Sequence, residues 1–150
     1  MGSVHGRTVE LAALAAAVCW LVAPVRGAPD YDGRYAGIIA CDAIPGQTVQ
    51  SLKTDFSMKV ANGQAEYERE VLRPSGGSRL GVTERGSGTV SASGEVSLTG
   101  SAAGQTWSYE ATYQGRFDGK SLHLTGTQRW RLPNRPAHAR PCTIDVSRSE

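Results

Sequence analysis

From Tyr31 onward, apolar side chains recur at every second position and almost never at helical spacing. Period two is the mark of strands that turn one face to a core and the other to water. Arg34–Cys41 predicts a first strand with Tyr35, Gly37, Ile39 and Cys41 on one face, and a loop through Pro45-Gly46 follows. Leu52–Ala61 predicts a second strand, with Leu52, Thr54, Phe56, Met58 and Val60 inward and Lys53, Asp55, Ser57 and Lys59 outward. Asn62-Gly63 then signals a two-residue hairpin turn. That turn pairs Val60 with Ala65, Met58 with Tyr67, Phe56 with Arg69 and Thr54 with Val71, and sets Lys59 opposite Glu66 on the outer face. Pro74–Ser78 reads as a loop and Leu80–Arg85 as a short strand with Leu80, Val82 and Glu84 inward. Gly86–Gly100 reads as a further hairpin, whose three-residue loop Ala92-Ser93-Gly94 opposes Val90 to Val96 so that apolar faces match.

The clearest alternation comes late, where Trp107, Tyr109, Ala111, Tyr113, Gly115 and Phe117 interleave with polar residues. A turn at Asp118-Gly119 predicts the pairs Gly115–Leu122, Tyr113–Leu124, Ala111–Gly126, Tyr109–Gln128 and Trp107–Trp130. Interior glycines in such long strands suggest a hairpin that coils, as barrel walls do. Three prolines argue against regular sheet across Pro133–Pro141, after which Cys142, Ile144 and Val146 share one face of a last strand.

The chain starts differently. Polar residues carrying His5 and Arg7 lead into an apolar run, Leu11–Ala23, closed by Pro24 and the small residue Gly27. This is the order of a cleavable secretory signal, so residues 1–27 are expected to be removed and 28–150 to form a single domain. Thirteen apolar residues span about 20 Å as a helix, short of a ~30 Å hydrocarbon core, so no stable membrane span is expected after cleavage. The expected location is the periplasm or the exterior of a bacterium. Cys19 leaves with the signal, and Cys41 and Cys142 remain as the only possible intramolecular pair. An oxidising compartment favours a disulfide, and closing a loop of about 100 residues is worth roughly 4–5 kcal/mol in the chain-entropy account.

The bond carries topological information. If Cys41 faces Cys142 in antiparallel strands, Ile39 faces Ile144 and Gly37 faces Val146, with every face matched. The expected fold is therefore all-β: a small antiparallel up-and-down barrel or strongly coiled sheet of about eight or nine strands, first and last paired.

Charge adds an exclusion. The residues after the signal hold 14 Lys and Arg against 13 Asp and Glu, a balance unlike that of a nucleic-acid binder. No nucleophile–base–orienter set, metal-ligand spacing or nucleotide motif is apparent, so neither an enzyme nor a cofactor is expected. His123 falls on an outward face and His138 in the proline-rich stretch, while Glu66, Glu68 and Glu70 form an outward solubilising stripe.

Two sets of residues remain. Arg69 and Glu84 fall on inward faces, where they predict an internal ion pair or a polar pocket, unless a local bulge turns Arg69 outward. With Tyr67, Trp107, Tyr109, Tyr113 and Trp130 they form the candidate ligand site; Tyr35 is a further inward aromatic, and the bland alternative is a filled core. Lys120, Arg129, Arg131, Arg135 and Arg140 lie in a stretch without acidic residues and form a candidate basic patch for an anionic partner.

Tyr31-Asp32-Gly33, the strand Tyr35–Cys41, the V-x-x-x-G-x-V-x-L-x-G run ending at Gly100, Tyr113–Gly119 and Pro141-Cys142 together resemble a small exported β domain of proteobacteria, especially alphaproteobacteria. That resemblance implies origin and compartment, not chemistry, since the group has no established activity. Ser91-Ala92-Ser93-Gly94 with a single disulfide is more loosely similar to periplasmic lysozyme inhibitors, but Glu95-Val96 stands where those carry basic and aromatic residues. The function expected is a non-enzymatic exported binding or accessory domain, its partner an envelope protein or an anionic envelope component. The alternatives are a small-ligand carrier with an aromatic-lined cavity and an inhibitor of a secreted hydrolase.

Overall fold

The computed structural model of the protein describes residues 30–44, 51–72 and 79–149, the side chains of 79 and 80 excepted. The expected export segment 1–27 and the side chain of Leu80 lie outside the described residues. Eight strands follow one another: β1 (Gly33–Cys41), β2 (Leu52–Ala61), β3 (Gln64–Leu72), β4 (Arg79–Val90), β5 (Glu95–Ala103), β6 (Ser108–Asp118), β7 (Ser121–Arg131) and β8 (His138–Ser149). Each pairs antiparallel with the next, and β8 pairs with β1, so the sheet is a closed up-and-down barrel.

Closure occurs in the register that the cysteines imply, with Cys41 opposite Cys142, Ile39 opposite Ile144 and Gly37 opposite Val146. The Asp42 N–H donates to the Pro141 carbonyl at 3.0 Å, so Asp42 and Pro141 form a hydrogen-bonded pair of the ladder. The next pair, Cys41–Cys142, is then a non-hydrogen-bonded one, where side chains approach most closely. The two sulfurs are bonded there, with Cα atoms 4.0 Å apart.

The alternation translates directly into burial. Tyr35, Ile39, Phe56, Met58, Val60, Leu98, Tyr113, Leu122, Leu124 and Ile144 point inward and are buried, while their sequence neighbours are largely exposed. Apolar inside and polar outside is the reverse of a barrel that faces lipid with its outer wall. Gly115 shows how tightly the wall coils: a Cβ there would stand 1.9 Å from the His123 carbonyl oxygen of the neighbouring strand.

Four local expectations change. The β6–β7 turn is centred on Gly119-Lys120, not Asp118-Gly119, so Asp118 pairs with Ser121, Gly115 with Leu124, Tyr113 with Gly126 and Tyr109 with Trp130. Gly119 has φ +58° and Lys120 is not among the positive-φ residues, the signature of a type II′ turn with glycine at its first central position. A slip of two residues leaves every face unchanged, which is why alternation alone does not detect it. At Asn62-Gly63 both residues have positive φ, as a type I′ turn requires. Val60–Ala65 and Met58–Tyr67 pair as expected, but the ladder ends there, and Phe56–Arg69 and Thr54–Val71 are not partners.

The Leu80–Arg85 stretch is not a separate short strand but part of the continuous twelve-residue β4. Finally, β8 begins at His138 and takes in Pro141, which was expected to lie outside regular sheet. Pro141 turns its ring nitrogen toward β1 at the ladder's last pair, so a missing N–H forgoes only one terminal bond.

Candidate functional site

The barrel has two unlike ends. Short turns at Asn62-Gly63, Ser91–Gly94 and Gly119-Lys120 close one; the strand ends Cys41, Leu52, Leu72, Arg79, Ala103, Ser108, Arg131 and His138 gather at the other, called the loop end below. Buried polar residues lie toward this loop end: Arg69, Glu84, Gln128 and Arg140 are each at most 7% exposed. Adjacent strands place them. Arg69 of β3 stands directly opposite Glu84 of β4, and Gln128 of β7 directly opposite Arg140 of β8. Arg69 points inward; a register shift does occur beyond it, but its extra residues are in β4, since Glu70 faces Thr83 and Leu72 faces Arg79.

Glu84 is the hub. Its Oε2 accepts from Arg69 Nη2 at 2.5 Å and from the Tyr109 hydroxyl at 2.7 Å, and its Oε1 accepts from the Tyr67 hydroxyl at 2.8 Å. Arg69 Nη2 also lies 3.2 Å from the Tyr109 hydroxyl oxygen. The Tyr67 ring can lie against this part of the wall because β4 and β5 carry glycine there: a Cβ on Gly86 or Gly100 would come within 2.1 Å of the ring or its hydroxyl.

A second group adjoins the first. Arg140 Nε and Nη2 both donate to Gln128 Oε1, at 2.9 and 2.7 Å, and Gln128 Nε2 donates to the Tyr113 hydroxyl at 3.1 Å. The Arg140 guanidinium also stands 5.3 Å from the centroid of the Trp130 ring. Trp130 in turn packs against Tyr109 at 4.5 Å and Trp107 at 5.3 Å between centroids, forming an aromatic layer at the loop end.

Electrostatics follows from burial. Loss of water, then the neighbouring Glu84 charge, pushes the Tyr67, Tyr109 and Tyr113 hydroxyls well above their ordinary range. Burial alone would lower the pKa of Arg69, but Glu84 and the tyrosines outweigh it, and the guanidinium is held above its usual value. Arg140 moves the other way, lowered first by burial and then by repulsion from Arg69.

The candidate pocket residues Arg69, Glu84, Tyr67, Tyr109, Tyr113, Trp107 and Trp130 thus meet in one region. Apart from the partly buried Trp107 they are 0–7% exposed and pack on each other as part of the core. Gln128 and Arg140 are the members that sequence reasoning missed. Gln128 already lay on the inward face and could have been found by the same alternation that singled out Arg69.

The candidate basic patch does not form one surface. Lys120 sits at the short-turn end and Arg140 inside the barrel, while Arg129 and Arg131 lie on the outer wall near the loop end and Arg135 in the connection before β8. Arg131 is 3.4 Å from Glu110.

Farther along the outer face of β7 and β8, toward the short-turn end, His123 Nδ1 lies 2.5 Å from Asp145 Oδ1, with side chains 59% and 69% exposed. Ser121 and Ser147 share this shallow outer groove, but among the described residues no hydroxyl is recorded hydrogen-bonded to His123. Among the described residues no group of three or more His, Cys, Asp or Glu could hold a metal ion.

The fold and the cluster define a small closed β-barrel with a charged, hydrogen-bonded core at one end. Comparison with protein families, characterised proteins and solved structures returns no match.

Proposed function

We propose that the protein is an exported, non-enzymatic binding or accessory domain that works through the loop end of its barrel. The observation that carries this reading is the asymmetry of the barrel: the Trp107–Trp130 layer and the charged interior both lie toward one end, the end opposite the tight turns Asn62-Gly63 and Gly119-Lys120. Loops presented by a rigid scaffold are where recognition concentrates. Arg129, Arg131 and Arg135 at this end suit an anionic envelope component or an acidic protein surface.

A carrier with a hollow interior is less well supported, since the aromatic residues proposed to line it fill it. Hydrolase inhibition has little support from the Ser91–Gly94 segment, which forms a hairpin turn at the opposite end with Ser91 Oγ and Ser93 Oγ hydrogen-bonded at 2.8 Å.

Native mass spectrometry of the protein, purified from its own compartment and crosslinked before extraction, tests the reading. A retained partner or ligand is expected, lost on combining Arg131→Ser with Arg135→Ser and kept on Lys120→Ser. Retention of nothing, or equal loss with Lys120→Ser, would overturn it.

A further inference from the structure

Three buried donors toward the loop end of the barrel interior have no acceptor. Glu84 and Tyr109 engage only Nη2 of Arg69; Nε and Nη1 are buried without a hydrogen-bond partner, and so is Nε1 of Trp130. All three belong to one neighbourhood, because Tyr109 touches both residues through its hydroxyl and its ring. The charges do not balance either. The buried charged residues among those described are Arg69, Arg140 and Glu84, two cations against one anion. Gln128 supplies Arg140 with a neutral carbonyl, which accepts hydrogen bonds but leaves its charge standing.

A buried donor without an acceptor is destabilising, and a buried unpaired charge more so. A water molecule would satisfy a donor but not the charge. What the interior lacks is a group with acceptors only and one negative charge.

We propose that this end of the barrel interior is a binding site for a single carboxylate group, which accepts from Arg69 Nε or Nη1 and from Trp130 Nε1 and neutralises the excess cation shared by Arg69 and Arg140. The partly buried Trp107, packed on Tyr109 and Trp130, gives the body of such a ligand an apolar surface to lie against. Two oxygens in one plane suit a guanidinium and an indole N–H at different angles, and charge assistance makes such bonds the stronger kind. The inference rests on the loop end being the working face and names the chemistry that face accepts.

Thermal unfolding and tryptophan fluorescence of the full, disulfide-intact protein, titrated with acetate, benzoate, inorganic phosphate and chloride at constant ionic strength, test it. Acetate or benzoate is expected to raise Tm saturably, growing with the logarithm of concentration above Kd, and to change the fluorescence, whereas chloride does neither. Trp130→Phe should weaken carboxylate binding about tenfold. Arg140→Met should unfold cooperatively yet lose the carboxylate effect, because its interior is already neutral.

No carboxylate-dependent rise in the wild type, an equal rise in Arg140→Met, or a rise with phosphate alone would overturn the proposal. If carboxylates fail while partner retention still depends on Arg131 and Arg135, only this inference falls. If carboxylates bind and no partner is retained, the site stands without the partner.

Discussion

Glu84 holds the core together through three donors, so the two ends of its ion pair are not equivalent. Removing Arg69 leaves a carboxylate with two tyrosine hydroxyls in a dry interior; removing the Glu84 charge leaves two guanidiniums repelling each other. Arg69→Met and Glu84→Gln should each cost about 3–5 kcal/mol in urea unfolding. The double substitution should cost less than the sum, since neither charge is then stranded. Alkaline pH probes the same cluster. Tyr67, Tyr109 and Tyr113 stay protonated in the folded state above the pH at which they ionise when unfolded. The unfolded chain then binds fewer protons, so stability is fully present below about pH 10 and falls above it, by at most about 1.4 kcal/mol per pH unit for each tyrosine. Urea midpoints between pH 8 and 11 should show the decline, with the phenolate absorbance of these three residues appearing only on unfolding.

Among the strands, the β2–β3 seam is the weakest join. The two strands part after Met58–Tyr67, although β2 stays paired with β1 down to Leu52 and β3 with β4 out to Leu72. A groove lined by Thr54, Phe56, Glu68 and Arg69 marks the separation. Counting outward from the Asn62-Gly63 turn, the amides of Lys53, Asp55, Ser57 and Glu68 face this seam. They should exchange with deuterium faster than those of Lys59 and Glu66, which remain in the ladder. Charged outward side chains along both strands protect the parted edge from pairing with another chain. The opposite case is the β3–β4–β5 wall, which is close-packed around the Tyr67 ring. Gly86→Ala would place a methyl 2.1 Å from that ring and should cost about 1–3 kcal/mol, read from the urea midpoint.

For the molecule as a whole, closure depends on β1 meeting β8, two strands from opposite ends of the chain. Cys41 and Cys142 are 101 positions apart, so their bond removes much freedom from the unfolded chain. Replacing both by serine should lower stability by about 4 kcal/mol or somewhat less, measured in urea against the oxidised protein. The β1–β8 ladder also carries Ile39 against Ile144 and Gly37 against Val146, so the reduced form is expected to keep its barrel and lose stability rather than topology.

Alternation along the chain was enough to determine which residues face inward, because a strand exposes its faces by parity and water separates apolar from polar sides. Arg69, Glu84 and the aromatic set were legible for that reason, and the cysteine positions showed which strands close the barrel. Parity, however, does not distinguish registers two residues apart; the backbone angles of Gly119 decided the β6–β7 pairing. Nor could it show that Arg140 turns into the barrel, since that required β8 to begin before Pro141, in a stretch whose prolines argue locally against sheet. Tertiary structure alone decided that two arginines are buried in an interior with one carboxylate, because the electrostatic balance of an interior depends on which distant side chains the closed wall brings together.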